Sequence, residues 1–178
     1  MAKILAFAGS NSSTSINYQL IKYTSSLIEN HDVRTMNMAN YPFPMFSVDL
    51  EKNEGYSNSL VEFKNDIQKS DALIISVNEH NSMLSAYFKN VLDWLSRLER
   101  KFLLDKKLFL MSTSNGKRGG LSALEFARDV LLPRFGAEIV STFTLPGFED
   151  NYDIEKGISA EDLNAEHRKC LHDFLKTL

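Results

Sequence analysis

Short apolar runs alternate with amphipathic stretches along the chain, and this alternation constrains the fold more than any single motif. The apolar runs predict strands at Ile4–Ala8, Val33–Met38, Ala72–Val77, Leu108–Ser112 and Glu138–Phe143. The stretches between and after them predict helices at Ile16–Glu29, Ser57–Lys69, Leu84–Leu98, Gly120–Leu132 and Ala160–Thr177. Because parallel strands are joined by crossover helices, this pattern predicts an α/β fold, a doubly wound five-stranded parallel sheet with strand order 2-1-3-4-5.

The composition is that of an ordinary globular domain. The 178 residues can bury a core of their own, so residues 1–178 are predicted to form one domain. A formal net charge of -3 gives no reason to expect nucleic acid or an anionic membrane as a partner. Cys170 is the single cysteine and no apolar run is long enough to span a bilayer, so we expect a cytoplasmic protein.

Three polar loops are expected to meet at one edge of this sheet. In doubly wound sheets, ligands bind beyond the carboxyl ends of the strands, near the point where the strand order reverses. The loops that leave this point are Gly9–Asn17, Asn78–Ser85 and Thr113–Gly120. Functional residues are therefore sought in these three loops.

The first loop connects an apolar strand directly to a helix and is rich in glycine, serine, threonine and asparagine. Free N–H groups at the start of a helix, together with hydroxyl groups, suit a phosphate. The loop has neither the three glycines of the dinucleotide fingerprint nor the lysine of a P-loop. The alternative interpretation is that Ser15 is only a helix cap and the other residues only form a turn.

The other two loops carry side chains with more than one interpretation. His80 could act as a general acid or base, pack on a flat ligand, or be a surface residue. Lys117 and Arg118, in the glycine-rich third loop, could attract an anionic substrate or be solvated surface charges. The residues of these loops do not by themselves decide between the alternatives.

Three motifs resemble those of the NADPH-dependent FMN reductases, the flavodoxin-like group that includes quinone, azo-dye and chromate reductases. Residues 9–17 resemble the phosphate loop G-S-x-R-x-x-S-x-N, and residues 114–120 resemble S-P-G-x-x-G-G. Residues 78–81, followed by Lys89-Asn90 and Asp93-Trp94, resemble P-E-Y-N…K-N-x-x-D-W at the same spacing. The resemblance extends to about the fifth predicted strand.

The resemblance implies a flavodoxin-like fold and non-covalently bound FMN, reduced by NADPH or NADH and reoxidised by a quinone, azo compound or similar small acceptor. It implies no catalytic side chain, and we assign no metal ligand. The cofactor-binding residues that it implies are, for the phosphate, Ser10, Ser12, Ser15, Ile16 and Asn17; for the isoalloxazine, Asn78, Glu79, His80 and Asn81; and for its other edge, Ser114, Asn115 and Gly116.

The chain departs from the family pattern at three of these positions. Ser12 stands where the family usually has arginine, and Asn78 and His80 replace proline and tyrosine. Stacking on the flavin would therefore depend on an imidazole, and the sequence does not decide between NADPH and NADH. Two alternatives stay open: an FMN-binding electron carrier or redox-signalling module, and a flavodoxin-like scaffold that has lost its flavin.

The helix predicted at Leu84–Leu98 has two apolar stripes. One stripe is expected to face the sheet, and the second contains Tyr87, Trp94 and Leu98. A helix that covers only its own sheet needs one stripe, so the second predicts a homodimer (or tetramer), which the resemblance also implies. The alternative is that Trp94 covers a neighbouring loop of its own subunit. Separately, the proline-containing segment Asn40–Gly55 is predicted to be an ordered surface loop.

Overall fold

The computed structural model describes residues 1–178 and contains nine strands and seven α-helices. The strands are β1 (Lys3–Ala8), β2 (Asp32–Met36), β3 (Ala72–Val77), β4 (Glu79–His80), β5 (Met83–Leu84), β6 (Lys107–Thr113), β7 (Glu138–Leu145), β8 (Tyr152–Asp153) and β9 (Gly157–Ile158). The helices are α1 (Ile16–Ser26), α2 (Val48–Glu54), α3 (Asn58–Lys69), α4 (Ala86–Leu98), α5 (Leu121–Phe126), α6 (Phe148–Asn151) and α7 (Glu161–Leu175).

The five long strands form one parallel sheet in the order β2-β1-β3-β6-β7. The short hairpins β4–β5 and β8–β9 lie outside it, so β6 and β7 are the fourth and fifth strands of the sequence prediction. All six residues of β3 and five of the six in β1 are buried, as expected for parallel strands covered on both faces. The predicted sheet and its strand order are confirmed.

Serine side chains begin four of the helices. Ser15, Ser47, Ser57 and Ser85 each accept a hydrogen bond from the backbone N–H three residues later, which satisfies one of the free donors of the first turn. These caps place the start of α1 at Ile16 and the start of α3 within one residue of the prediction. Helix α4 begins two residues later than predicted, because Leu84 belongs to the β4–β5 hairpin.

The second predicted strand and the fourth predicted helix are less regular than their patterns suggested. The strand ends at Met36, and Met38 begins a 3₁₀ turn. The helix predicted at Gly120–Leu132 is α-helical only over α5 and continues as a π-turn at Ala127–Leu131 and a 3₁₀ turn at Leu132–Phe135. Pro133 has no N–H to donate, which is consistent with the end of regular helix there.

The segment predicted as a surface loop, Asn40–Gly55, contains α2. Ser47 caps this helix, and Gly55 ends it at φ 69° and ψ -142°, a conformation that favours glycine. No residue of α2 is buried. The helix therefore lacks the apolar stripe by which a pattern analysis would find it.

The same segment covers the second apolar stripe of α4. Trp94 is only 3% exposed, and its indole N–H donates to the carbonyl of Pro44 at 2.7 Å. Its ring meets Phe46 edge to face at 5.0 Å between centroids, and the Tyr87 hydroxyl donates to the carbonyl of Tyr41 at 2.8 Å. The structure thus corrects the prediction that Trp94 contacts a partner subunit, because residues of its own subunit already cover the side chain.

The ion pairs of α4 differ from those that its spacing favours. Asp93 and Arg97 are four residues apart, a spacing that favours a pair along the helix, but Asp93 pairs with Lys89 at 2.6 Å. Arg97 instead reaches across to Glu51 on α2 with two nitrogen atoms, at 3.0 and 2.9 Å. The ion pair therefore connects α4 to the helix that the sequence did not reveal. No helix is both long and apolar enough to cross a bilayer.

Candidate functional site

A cleft of about 260 Å³ opens beyond the carboxyl ends of β1, β3 and β6. Its lining residues come from all three loops of the sequence analysis and are Ser10, Ser12, Thr14, Ser15, Ile16, Asn17, Asn78, Glu79, His80, Thr113, Ser114 and Asn115. Every implied site residue except Asn81 and Gly116 is among them. Neither lysine nor arginine lines the cleft, so its polarity comes from hydroxyl, amide and backbone groups, the imidazole of His80 and the carboxylate of Glu79.

The first loop is fixed where it leaves β1. The N–H of Gly9 donates to the carbonyl of Ser76 at 2.9 Å, and the carbonyl of Gly9 accepts from the Ser85 hydroxyl at 2.8 Å. A side chain at Gly9 would place its Cβ 2.7 Å from the ring of Phe88 on α4. Glycine is needed here because the backbone passes directly over that ring.

The start of α1 offers donors to the cleft. Ser15 caps the N–H of Tyr18 at 3.2 Å, but the N–H groups of Ile16 and Asn17 have no acceptor in the chain. The hydroxyls of Ser12 and Thr14 lie 3.2 Å apart beside them. Unpaired N–H groups at a helix start, flanked by hydroxyls, form an uncharged anion site.

The side chain of Asn17 is already used by the fold. Its Oδ1 accepts from the Ser76 hydroxyl at 2.7 Å and from the N–H of Thr113 at 3.1 Å, while its Nδ2 donates to the carbonyl of Thr113 at 3.1 Å. These bonds join the first turn of α1 to β3 and β6. The backbone N–H of Asn17 is left for a ligand.

The second loop forms the β4–β5 hairpin at the rim of the cleft. Its turn residues Asn81 and Ser82 both have positive φ, 51° and 61°, as in a type I′ turn. Nδ2 of Asn78 lies 3.2 Å from Nε2 of His80, whose ring is exposed at the rim. Oδ1 of Asn78 is buried and has no hydrogen-bond partner.

The carboxylate of Glu79 is bound to the neighbouring helix. It accepts from the N–H of Ala123 at 3.0 Å, in the first turn of α5. The residue that precedes this helix is Gly120, which has no side chain to cap it. Glu79 therefore acts as a remote cap for α5, and its carboxylate fixes the second loop against the third.

The third loop is held against the end of β7. The Ser112 hydroxyl donates to the carbonyl of Gly119, and the Thr113 hydroxyl donates to the carbonyl of Leu145, both at 2.8 Å. Lys117 and Arg118 are exposed outside the cleft lining, and Arg118 lies 3.9 Å from Glu125. Thr113 lines the cleft but was not among the residues implied by the sequence. Its position at the end of a buried strand is the signal that could have identified it.

The histidine of α7 is explained by packing. His167 is fully buried, its Nε2 lies 2.9 Å from the Thr24 hydroxyl, and burial lowers its pKa to about 4. Phe109 and Phe143 surround the ring, with centroids 6.0 and 5.0 Å away. A neutral imidazole packed among aromatic rings in the core has a structural role.

Comparison with known proteins identifies the family. Residues 2–150 match the model of the NADPH-dependent FMN reductase family. A quinone reductase of Escherichia coli (strain K12) is 28% identical over 89 residues, 50% of this chain and 47% of that protein. An NADPH:quinone oxidoreductase of Arabidopsis thaliana is 29% identical over 126 residues, 68% of this chain and 63% of that protein. The chain spans about half the length of the first of these relatives.

The fold has close counterparts among solved structures. The FerB flavoenzyme NAD(P)H:(acceptor) oxidoreductase from Paracoccus denitrificans superposes with a TM-score of 0.79, at 20% identity, over 99% of this chain and 96% of that one. This likeness concerns the flavodoxin-like fold. Since the family model covers most of the chain, the protein belongs to the NADPH-dependent FMN reductase family, whose members are oxidoreductases that use FMN and a nicotinamide nucleotide.

Proposed function

We propose that this protein binds FMN non-covalently in the cleft and passes reducing equivalents from NADPH or NADH to a small acceptor such as a quinone or azo compound. The observation that carries the proposal is the pair of unpaired N–H groups at Ile16 and Asn17, flanked by hydroxyls, at the strand-order reversal of a flavodoxin-like sheet. The family match supports FMN as the ligand of this site.

The first loop would hold the phosphate. The free N–H groups of Ile16 and Asn17 would donate to its oxygens, and the hydroxyls of Ser10, Ser12 and Thr14 could rotate to donate as well. Because no cation lines the cleft, the dipole of α1 and these donors would carry the electrostatic stabilisation.

The second and third loops would flank the ring system. His80 stands at the rim on the second loop, and Ser114 and Asn115 line the cleft from the third loop. When bound, FMN supplies the hydride chemistry itself. The residues of the chain would orient the ring, exclude water from one side of it and leave one face open to the nicotinamide and then to the acceptor.

Residues 1–178 would act as one FMN-binding domain, working in the cytoplasm. A homodimer or tetramer, which the family resemblance implies, remains a prediction. Since Trp94 is buried by its own subunit, a contact through α4 would use its exposed residues, such as Lys89 and Arg97. Light scattering on the purified protein would give the number of subunits directly.

The test is the visible spectrum and the ligand preference of the purified protein. We expect a yellow protein, or a colourless one that takes up FMN with quenching of flavin fluorescence. FMN should bind at least about tenfold more tightly than riboflavin, which lacks the phosphate that the first loop would hold. A protein that binds neither flavin is the scaffold of the sequence analysis, and equal binding of the two would place the phosphate elsewhere.

A further inference from the structure

The side-chain amide of Asn78 is buried and only half satisfied. The residue is 9% exposed at the end of β3, its Nδ2 meets Nε2 of His80 at 3.2 Å, and its Oδ1 has no donor. Turning the amide around would place the oxygen on the imidazole and leave the nitrogen without a partner instead. One polar atom of this side chain is therefore unsatisfied in either orientation, which costs stability.

Other groups hold the loop in place. The carbonyl of Asn78 accepts from the N–H of Ser85 at 3.3 Å, and Ser85 in turn bonds Gly9. Glu79 is tied to α5 through the N–H of Ala123. The side chain of Asn78 contributes nothing to these backbone anchors, and its one hydrogen bond goes to the ring of His80.

With the amide nitrogen facing the imidazole, this bond fixes the tautomer of the ring. When Nδ2 of Asn78 donates to Nε2, a neutral ring must carry its proton on Nδ1. The β4–β5 hairpin, with Asn81 and Ser82 in its turn, holds the ring at the rim of the cleft. His80 thus offers the cleft one N–H donor in a defined position. The other side chains of this wall offer amide and carboxylate groups.

We propose that Asn78 is a positioning residue, which orients His80 so that its Nδ1–H donates to an acceptor atom on the edge of bound FMN. This role rests on the proposed function. A donor at the ring edge stabilises the reduced flavin more than the oxidised flavin, because the reduced ring carries more negative charge. Asn78 and His80 together therefore raise the ratio of the affinities for reduced and oxidised FMN.

The test compares Asn78→Leu, His80→Phe and the double variant with the wild-type protein. Leucine has the same branched shape and number of side-chain heavy atoms as asparagine but no polar atom, and phenylalanine keeps a flat ring without an N–H. For each protein we measure the midpoint potential of bound FMN, the affinity for oxidised FMN and the melting temperature. A matched control is Asn53→Leu, the same substitution at an exposed position of α2 outside the cleft lining.

We expect Asn78→Leu and His80→Phe each to lower the affinity ratio about tenfold, which is about 30 mV for a two-electron couple. The double variant should fall no further than the single ones, since both remove one interaction. The melting temperature of Asn78→Leu should be unchanged or higher, because the unsatisfied amide is gone. An unchanged potential in Asn78→Leu overturns the proposal, as does a lower melting temperature without a shift in potential.

A readout without flavin separates this proposal from the proposed function. Nitrogen chemical shifts of His80 in the apoprotein should show the proton on Nδ1 in the wild type and a mixture of tautomers in Asn78→Leu. The same mixture in the wild type would contradict the positioning role even if FMN binds. A wild-type protein that takes up no FMN overturns the proposed function and the flavin contact with it.

Discussion

The amide of Asn17, in the first turn of α1, bonds both the N–H and the carbonyl of Thr113 at the end of β6. The two residues are 96 positions apart in sequence. Their side-chain-to-backbone pairing holds the first turn of α1 against the third loop. The cleft is therefore braced by a contact that a ligand does not have to make.

Replacing this amide should weaken the fold itself. In Asn17→Ala the Ser76 hydroxyl and both backbone groups of Thr113 lose their buried partner, so we expect a loss of about 2–3 kcal/mol in the free energy of unfolding. Urea denaturation measures it. Asn11→Ala, in the exposed part of the same loop, should stay within about 0.5 kcal/mol of wild type. Equal effects of the two variants would contradict the bracing role.

A cation added to the first loop should strengthen FMN binding. Ser12 lines the cleft where the family usually has arginine, and no lysine or arginine lies there. We expect Ser12→Arg to raise the affinity for FMN about tenfold at low ionic strength, and less as salt screens the charge. The affinity for riboflavin should not change. Fluorescence titration checks both.

The matched control for that variant is Ser13→Arg. Ser13 is exposed in the same loop but does not line the cleft. It adds the same net charge at a neighbouring position, so it should raise FMN affinity much less. If both arginines act equally, the gain is a general effect of charge and Ser12 is not beside the phosphate.

The free energy of unfolding should decrease as the pH is lowered, because His167 is buried in its neutral form. Burial lowers the pKa of His167 to about 4, whereas an unfolded histidine has a pKa of about 6.5. Between these values only the unfolded state binds the proton, so stability is lost as the pH falls from 6.5 to 4. The loss attributable to this group approaches about 3 kcal/mol.

Urea denaturation from pH 7 to pH 4 measures this loss. His167→Leu should lose about 3 kcal/mol less than wild type over the range, whatever its stability at pH 7. The control is His172→Leu on the exposed side of the same helix, which should follow the wild-type curve. Parallel curves for His167→Leu and wild type would show that folding does not lower the pKa of the ring.

Helix α2 should be released when its ion pair is broken. None of its residues is buried, and Glu51 is bound by Arg97 and by the Tyr56 hydroxyl at 2.6 Å. We expect Arg97→Gln to speed amide hydrogen exchange in Val48–Glu54 and to leave the exchange of the central strands unchanged. Arg100→Gln, which removes an exposed charge just beyond α4, is the control. Unchanged exchange in α2 would mean that other contacts hold it.

The sheet and the position of the site were predictable because they depend on local patterns. The buried runs of β1 and β3 identify themselves by continuous apolar residues, and the strand order follows from the crossover connections. The topology then brings the three polar loops to one edge. The sequence motifs were needed only to identify FMN as the expected ligand.

What the sequence did not reveal depends on contacts between distant residues. Trp94 donates to the carbonyl of Pro44, which lies 50 positions earlier in the sequence. The apolar stripe that contains Trp94 does not indicate which surface will pack against it. Glu79 lines the cleft, but its carboxylate also caps α5 through Ala123, because Gly120 leaves that helix without a cap. In both cases the partner could be found only from the folded structure.

The most direct test of the central claim is anaerobic reduction of the FMN-loaded protein. NADPH or NADH is added while the absorbance of the oxidised flavin is followed, and a quinone is then admitted. The account predicts rapid bleaching by a nicotinamide nucleotide, return of the yellow colour with the quinone, and many turnovers when both are in excess. Yellow protein that neither nucleotide bleaches would contradict the account and identify an FMN-binding electron carrier instead.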